Sequence, residues 1–271
     1  MELEPVPVET AAGRIAVHVL NSGRPTVLWH GLWVDGGEWG YAIPALLPGR
    51  RLLVVDGPGW GRSGALRARI TGADVVRAAA QVVEALDGGP VDWVGAGWGG
   101  RVGLALAVAR PGLVRSVVAV AADPAPMPAA ERRRVRRVLA GLRVVGPVGG
   151  IGRAIVDDQL APASRTEPRT VGAVLDALLL AGRLQAARAV ERFEVRRPDL
   201  TGLLPRITAP VLLVATDDDG PFPERVAAAA AALGPLARTA VVPGARALVP
   251  LDQPGPLASA ITAFWADLAA P

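Results

Sequence analysis

The stretch Val91-Asp-Trp-Val-Gly-Ala-Gly-Trp-Gly-Gly100 sets a glycine-crowded turn between a short apolar run and a helical pattern, Arg101–Arg110. A strand, a tight turn and a helix N-terminus are the geometry that lifts a nucleophilic side chain to a sheet edge among free backbone N–H groups. The central position of this turn is Gly97, which has no side chain to attack with. The chain has no cysteine and only two histidines, His18 and His30, so thiolate chemistry is excluded and imidazole bases are scarce. His30 opens a glycine- and tryptophan-rich loop, His30–Trp39, where it is a candidate for proton transfer; His18 alternates into a strand. Two further loops are rich in glycine and acid, Asp56-Gly-Pro-Gly-Trp-Gly-Arg-Ser-Gly64 and Thr216-Asp-Asp-Asp-Gly-Pro-Phe-Pro223.

The elements that must carry these loops are legible in the periodicity. Gly13–Leu20 alternates as a half-buried strand, and Pro25–Trp29 and Arg51–Asp56 are more continuously apolar strands. Thr71-Gly-Ala-Asp74 is a capping-box pattern ahead of a helix whose buried face is Val75, Ala79, Val82, Val83 and Leu86. Val91–Val94 is the next strand, Gly99–Arg110 a helix, and Leu113–Ala122 a strand too apolar to face water on either side. Alternating strands and helices with short links predict a mostly parallel sheet with helices on both faces. The rhythm then changes: residues 124–207 read as helices without a convincing strand, and the sheet resumes at Pro210–Val214 and Thr239–Val242. We therefore expect a core formed by 1–123 and 208–271, with 124–207 inserted as a helical lid.

Composition narrows the function classes. All 29 basic residues are arginine, and the net charge is only +4. The dense patch Glu131–Arg137 contains Val135 within a helical apolar stripe that continues through Val138, Leu139 and Leu142, so its arginines are the solvated faces of an amphipathic helix rather than a nucleic-acid groove. Acids and prolines at the start do not suit a signal peptide, and no apolar run reaches membrane-spanning length. The expectation is a cytoplasmic protein with neither nucleic acid nor membrane as partner, no metal and no cofactor; dinucleotide and phosphate-loop fingerprints are absent from the sequence.

In this order, Pro25-Thr-Val-Leu-Trp-His-Gly31, Asp56–Ser63, Val94–Gly100, Pro210–Pro223 and Val242–Pro254 resemble the α/β-hydrolase superfamily, especially its esterase, epoxide-hydrolase and dehalogenase branches. The resemblance implies an α/β-hydrolase fold, a nucleophile at position 97, a late acid best matched by Asp219, and a histidine just after Gly244-Ala245. This chain has Gly97 and Arg246-Ala247 at the first and last of these. It also implies that the amides of Leu32 and Trp98 face an oxyanion. A pocket floored by Gly97 and Ala247 would remain, with Gly31, Trp33, Trp98 and Arg246 as candidate ligand contacts. Of the remaining tryptophans near these loops, Trp29 is expected to be structural, and Trp39 and Trp60 lie in or beside them.

With nucleophile and base replaced, the chain is similar to the atypical α/β-hydrolase-fold enzymes of actinobacterial specialised metabolism, of which the bottromycin-pathway peptide epimerases are an example. That similarity implies a cofactor-independent epimerase or isomerase of a bulky, ribosomally made peptide, inverting an aspartate beside a thiazoline or thiazole by substrate-assisted proton transfer. A binding protein that sequesters the same class of ligand, whether a small molecule or a macrocyclic peptide, is a second expectation. An atypical hydrolase in which Asp219 or His30 activates water is the third.

Overall fold

The computed structural model describes residues 4–217 and 222–270. In chain order the elements are β1 (Val6–Thr10), β2 (Gly13–Leu20), β3 (Arg24–Trp29), α1 (Ile43–Leu46), β4 (Arg50–Asp56), α2 (Gly72–Leu86), β5 (Val91–Ala96), α3 (Trp98–Ala109) and β6 (Val114–Val120). They continue with α4 (Ala129–Val145), α5 (Gly149–Gln159), α6 (Pro168–Ala181), α7 (Arg183–Val190), β7 (Val211–Thr216), α8 (Phe222–Leu233), β8 (Ala237–Val242), α9 (Val249–Asp252) and α10 (Pro254–Ala269). Between β6 and β7 the chain forms helices and turns but no strand among the described residues.

One eight-stranded sheet runs β1-β2-β4-β3-β5-β6-β7-β8. From β4 through β8 all neighbours are parallel, while β1 and β2 add antiparallel pairs at one edge. This is the mostly parallel, helix-flanked α/β architecture that the alternating pattern implied. Strand β1 is absent from that pattern; Pro7 pairs with Ala16 on an edge strand, where the missing N–H costs no ladder bond.

The sheet buries both faces by simple alternation. Val27 and Trp29 of β3, Leu53 and Val55 of β4, and Trp93 of β5 join the layer under α2 and α3. Leu28, Leu52, Val54 and Val94 point the other way, into a layer closed by Trp39 of the 3-10 turn Gly36–Trp39, Leu46 of α1, and Ile261, Phe264 and Trp265 of α10. The capping box at α2 is formed: Thr71 Oγ1 accepts the Asp74 amide at 3.2 Å and the Asp74 carboxylate accepts the Thr71 amide at 2.8 Å. Helix α4 buries Val135, Leu139 and Leu142 and leaves its arginines on the wet side.

Strand order reverses direction about β3, so the loops leaving β3 and β5 diverge and open a crevice beyond their carboxyl ends. That is where ligands gather in parallel α/β sheets. The loop after β3 starts with His30, the turn after β5 is Gly97, and helices α4 and α5 line the space above them.

Candidate active site

Gly97 sits at φ 46° and ψ −110°, outside the region open to side-chain-bearing residues without strain. Its amide donates to Val120 O at 2.8 Å and its carbonyl accepts the Arg101 amide at 3.2 Å, so the turn is tied to β6 and to the first turn of α3. The approach of α3 to the sheet demands glycine at a second place. A Cβ on Gly99 would stand 2.3 Å from Trp29 O and 2.8 Å from His30 O. At Gly97, by contrast, the space is open: an added Cβ would meet nothing nearer than Gly31 Cα at 3.8 Å. The turn that usually presents a nucleophile keeps its geometry and presents empty volume. Trp98, the first residue of α3, has an amide with no intrahelical acceptor, at the positive end of the helix dipole.

This volume belongs to a cavity of about 510 Å³. The sequence-predicted residues Gly31, Leu32, Trp33, Gly97, Trp98, Arg246 and Ala247 all line it. A side chamber of about 240 Å³ shares Trp33, Arg134 and Arg246 and extends along Val138 and Ile155 under the helices. Trp98 stacks on Phe193 with centroids 5.1 Å apart and meets Trp29 edge-on at 5.9 Å. Trp29, Trp39 and Trp60 are wholly buried supports, so the tryptophan cluster divides into a cavity pair and a core set. Trp33 and Ala121, both in the cavity wall, are two of the three described non-glycine residues with positive φ (79° and 46°). Such strain is concentrated where a fold holds a site in place.

The structure gives His30 no route to proton transfer. Its ring is fully buried and does not line the cavity. Nδ1–H donates to Gly31 O at 2.5 Å, and Nε2 accepts the Gly57 amide at 2.8 Å. Burial lowers its pKa, against the opposing pull of Asp56, and keeps it a neutral spacer between two loops. Asp219 lies outside the described residues. The neighbouring Asp217 accepts the Gly244 amide at 2.7 Å, joining the loop after β7 to the loop after β8. Arg246 lines the cavity with its Nε bonded to Asp158 O at 2.8 Å, and its backbone amide reaches Asp252 at 2.8 Å. Asp252 also accepts the Ala161 amide at 3.1 Å, and burial raises its pKa despite these bonds.

Glu38 and Asp123 carry no signal in the local sequence, whereas Asp56 opens a loop that its glycines mark. Glu38 is fully buried, its Oε2 accepts the Gly31 amide at 2.7 Å, and its Oε1 has no partner. Burial pushes its pKa up to about 8. Asp56 holds the Gly36 amide at 2.9 Å and the Arg62 amide at 2.8 Å. Burial would raise its pKa, but hydrogen bonds led by His18 outweigh that and lower it. Asp123, just past β6, is buried in the cavity wall between Arg197 at 3.3 Å and Arg225 at 2.5 Å. Long-range ion pairs of this kind have no spacing rule to betray them.

The chain compares with known proteins as follows. A sequence profile of the alpha/beta hydrolase family matches residues 26–260. The pimeloyl-[acyl-carrier protein] methyl ester esterase of Edwardsiella ictaluri is 28% identical, over 91% of this chain and 95% of its own. A candidate carbamate hydrolase of Variovorax paradoxus is 33% identical, over 76% of this chain and 78% of its own. Among solved structures, the thermophilic esterase of Thermogutta terrifontis superposes with a TM-score of 0.87 at 24% identity, over 99% of this chain and 100% of that one, a likeness of fold.

These relatives correct the functional expectation. Esterases and hydrolases stand where peptide epimerases were expected, so the reading as an isomerase or epimerase of a ribosomal-peptide natural product, and the affiliation with that atypical group, are overturned. The lack of a reactive side chain at Gly97 and Ala247 weighs less than the continuity of the match over residues 26–260. Among the described residues no cluster of side chains could hold a metal ion, and no single helix is long and apolar enough to cross a membrane.

Proposed function

The chain belongs to the alpha/beta hydrolase family, and from that membership we propose that it hydrolyses an ester- or carbamate-type bond of a small molecule, with water as the attacking group. The observation that carries this reading is the open volume at Gly97 beside the Trp98 amide. A substrate carbonyl with its oxygen toward the Leu32 and Trp98 amides would meet a water where a side chain ordinarily stands. The water oxygen bonds to the carbonyl carbon, the negative charge moves to the carbonyl oxygen under those amides, and collapse expels the alcohol or amine, which takes up a proton. No covalent enzyme intermediate forms, because Gly97 has nothing to acylate. The proton acceptor in this scheme is Asp219, at the family's late-acid position, since both nitrogens of His30 are already engaged. The cavity, at about 510 Å³, is of the size that encloses a small organic molecule. Residues 124–207 act in this scheme as the lid that excludes bulk water.

A panel of aryl and alkyl esters, lactones and carbamates in ¹⁸O-labelled water tests it. The expected result is one labelled oxygen in the acid product, no burst of leaving group, and loss of turnover in Asp219→Asn. Absence of hydrolysis across the panel, or a burst equal to the enzyme concentration, would overturn it.

A further inference from the structure

Large apolar side chains on a folded surface are normally scattered, and scattered ones need no partner. Ten are exposed among the described residues, and six of these gather at two helix corners between β6 and β7. Val144, Val145 and Val148 stand where α4 turns into α5, and Leu179, Leu180 and Leu184 where α6 turns into α7. Each of the six is between 50% and 72% exposed. Glycines at positive φ make both corners, Gly146 at 82° and Gly182 at 78°.

The two corners adjoin. Arg183, the first residue of α7, donates to the Val144 carbonyl at 2.5 Å. A Cβ on Gly152 of α5 would lie 3.3 Å from Leu175 Cδ2 of α6, so the second pair of helices is packed as closely. Gln185 then ties the surface to the loop after β4: its side-chain amide donates to Gly59 O at 2.9 Å and its oxygen accepts the Leu66 amide at 2.9 Å.

Charge is distributed to match. Residues 124–207 hold 15 of the 29 arginines but only eight of the 25 acidic residues, so this segment is +7 and the rest of the chain is −3. Four of those eight acids, Asp157, Asp158, Glu191 and Glu194, are already paired with arginines of the same segment. Arg137 lies two turns before Val144 on the same face of α4, and Arg188 one turn after Leu184 on α7. Both are exposed, and neither makes an ion pair among the described residues. Asp176, a turn before Leu179 and Leu180, is the one acid of α6 and α7.

The chemistry of the occupant follows from projection and sign. A second copy fits badly, because a two-fold contact sets a patch against itself and brings the arginines of both copies together. A protein partner reads apolar anchors through a groove shaped to receive them. A bilayer takes projecting aliphatic groups into its acyl boundary without any matching shape, and anionic headgroups attract the basic residues around them. We propose that the α4–α5 and α6–α7 corners dock this protein on an anionic phospholipid surface, with the six aliphatic side chains in the acyl boundary and Arg137 and Arg188 on the phosphates. Such a contact needs no spanning helix, and it does not depend on the hydrolytic reading.

The test floats the intact protein with vesicles of phosphatidylcholine alone and of phosphatidylcholine with about 30% phosphatidylglycerol. Binding is expected on the anionic vesicles and should fall as salt rises. Val144→Gln with Leu180→Gln keeps every charge and should lower the partition coefficient about tenfold. Arg137→Gln with Arg188→Gln should lower it about tenfold on anionic vesicles and leave the zwitterionic ones unaffected. Val241→Gln, which alters an exposed apolar residue of edge strand β8, should bind as wild type does. No flotation with anionic vesicles, or flotation that neither double variant weakens, overturns the proposal. So does a dimer in light scattering that Val144→Gln with Leu180→Gln dissociates, which gives the patch to a second copy. Ester turnover in vesicle-free buffer should be equal in wild type and in Val144→Gln with Leu180→Gln. Flotation without turnover therefore removes hydrolysis and leaves the docking surface standing, and turnover without flotation does the reverse.

Discussion

The Gly31 amide donates to Glu38 Oε2 at 2.7 Å, one of the bonds that hold the loop leading from His30 to Leu32 and Trp33 in the cavity wall. Glu38 is wholly enclosed and its other oxygen has no partner, so burial, only partly offset by the Gly31 amide, lifts its pKa from 4.5 to about 8. Between these values the folded chain keeps a proton that the unfolded chain has released, so stability falls as pH rises from about 4.5 to about 8 and levels off above that. Asp35, raised mainly by burial, adds to the same slope. Thermal melts across this window should show a declining Tm for wild type and a shallower decline for Glu38→Gln, which keeps an oxygen for Gly31. Parallel slopes would remove Glu38 as the source.

At Gly97 the room for a side chain survives, and the cost of filling it is conformational. A serine there adopts φ near 46°, a strain of roughly 1–3 kcal/mol, and meets only Gly31 Cα. The double variant Gly97→Ser with Ala247→His should fold with a modest loss of stability and release a burst of 4-nitrophenol from 4-nitrophenyl butyrate, the mark of an acyl-enzyme. Gly97→Ser alone should show no burst comparable to it. Gly99→Ala, in contrast, would push a methyl to 2.3 Å from Trp29 O and should not yield folded protein.

Much of this was visible in the sequence, for a physical reason. Glycines at 95, 97 and 99 are required by local backbone geometry and close approach, and strand periodicity follows from burial on two faces; both leave marks within a few residues. The cavity wall at Leu32, Trp33, Trp98 and Ala247 followed from the resemblance to the α/β-hydrolase superfamily, not from periodicity. Glu38, Asp123 and Arg225 did not, since Asp123 meets a residue 102 positions away and no periodicity connects them. His30 was misleading in the other direction. An imidazole in a glycine loop suits catalysis and support equally well, and only its bonds to Gly31 and Gly57 decide between them.

Beneath the sheet, Arg50 donates to Asp92 at 2.7 Å and to Thr26 Oγ1 at 2.9 Å, and its guanidinium lies 3.2 Å from the Trp265 ring centroid. Asp92 is buried, and its second oxygen accepts the Ser116 hydroxyl at 2.8 Å. Removing the anion strands a buried cation, at a cost of about 3–5 kcal/mol; removing the hydroxyl costs about 1 kcal/mol. Urea unfolding of Asp92→Ala and Ser116→Ala should therefore differ several-fold in ΔΔG. Similar losses would show that the ion pair is solvated in the folded state.

The contact most telling for the helices above the site is Phe193 on Trp98, stacked at 12°. Phe193 lies in a π-helical turn, Glu191–Val195, and an extra residue in a helical turn re-aims the side chains that follow. The same turn carries Glu194, which pairs with Arg197, itself set against Asp123 in the cavity wall. Phe193→Ala should cost about 3–5 kcal/mol, as for other buried aromatics, and Phe193→Leu less. Because Trp98 opens α3 and carries the amide at the elbow, loss of the stack should also lower kcat more than it raises KM in any ester assay that wild type supports. A variant that loses stability but keeps kcat would show that the stack holds the helices down without orienting the elbow.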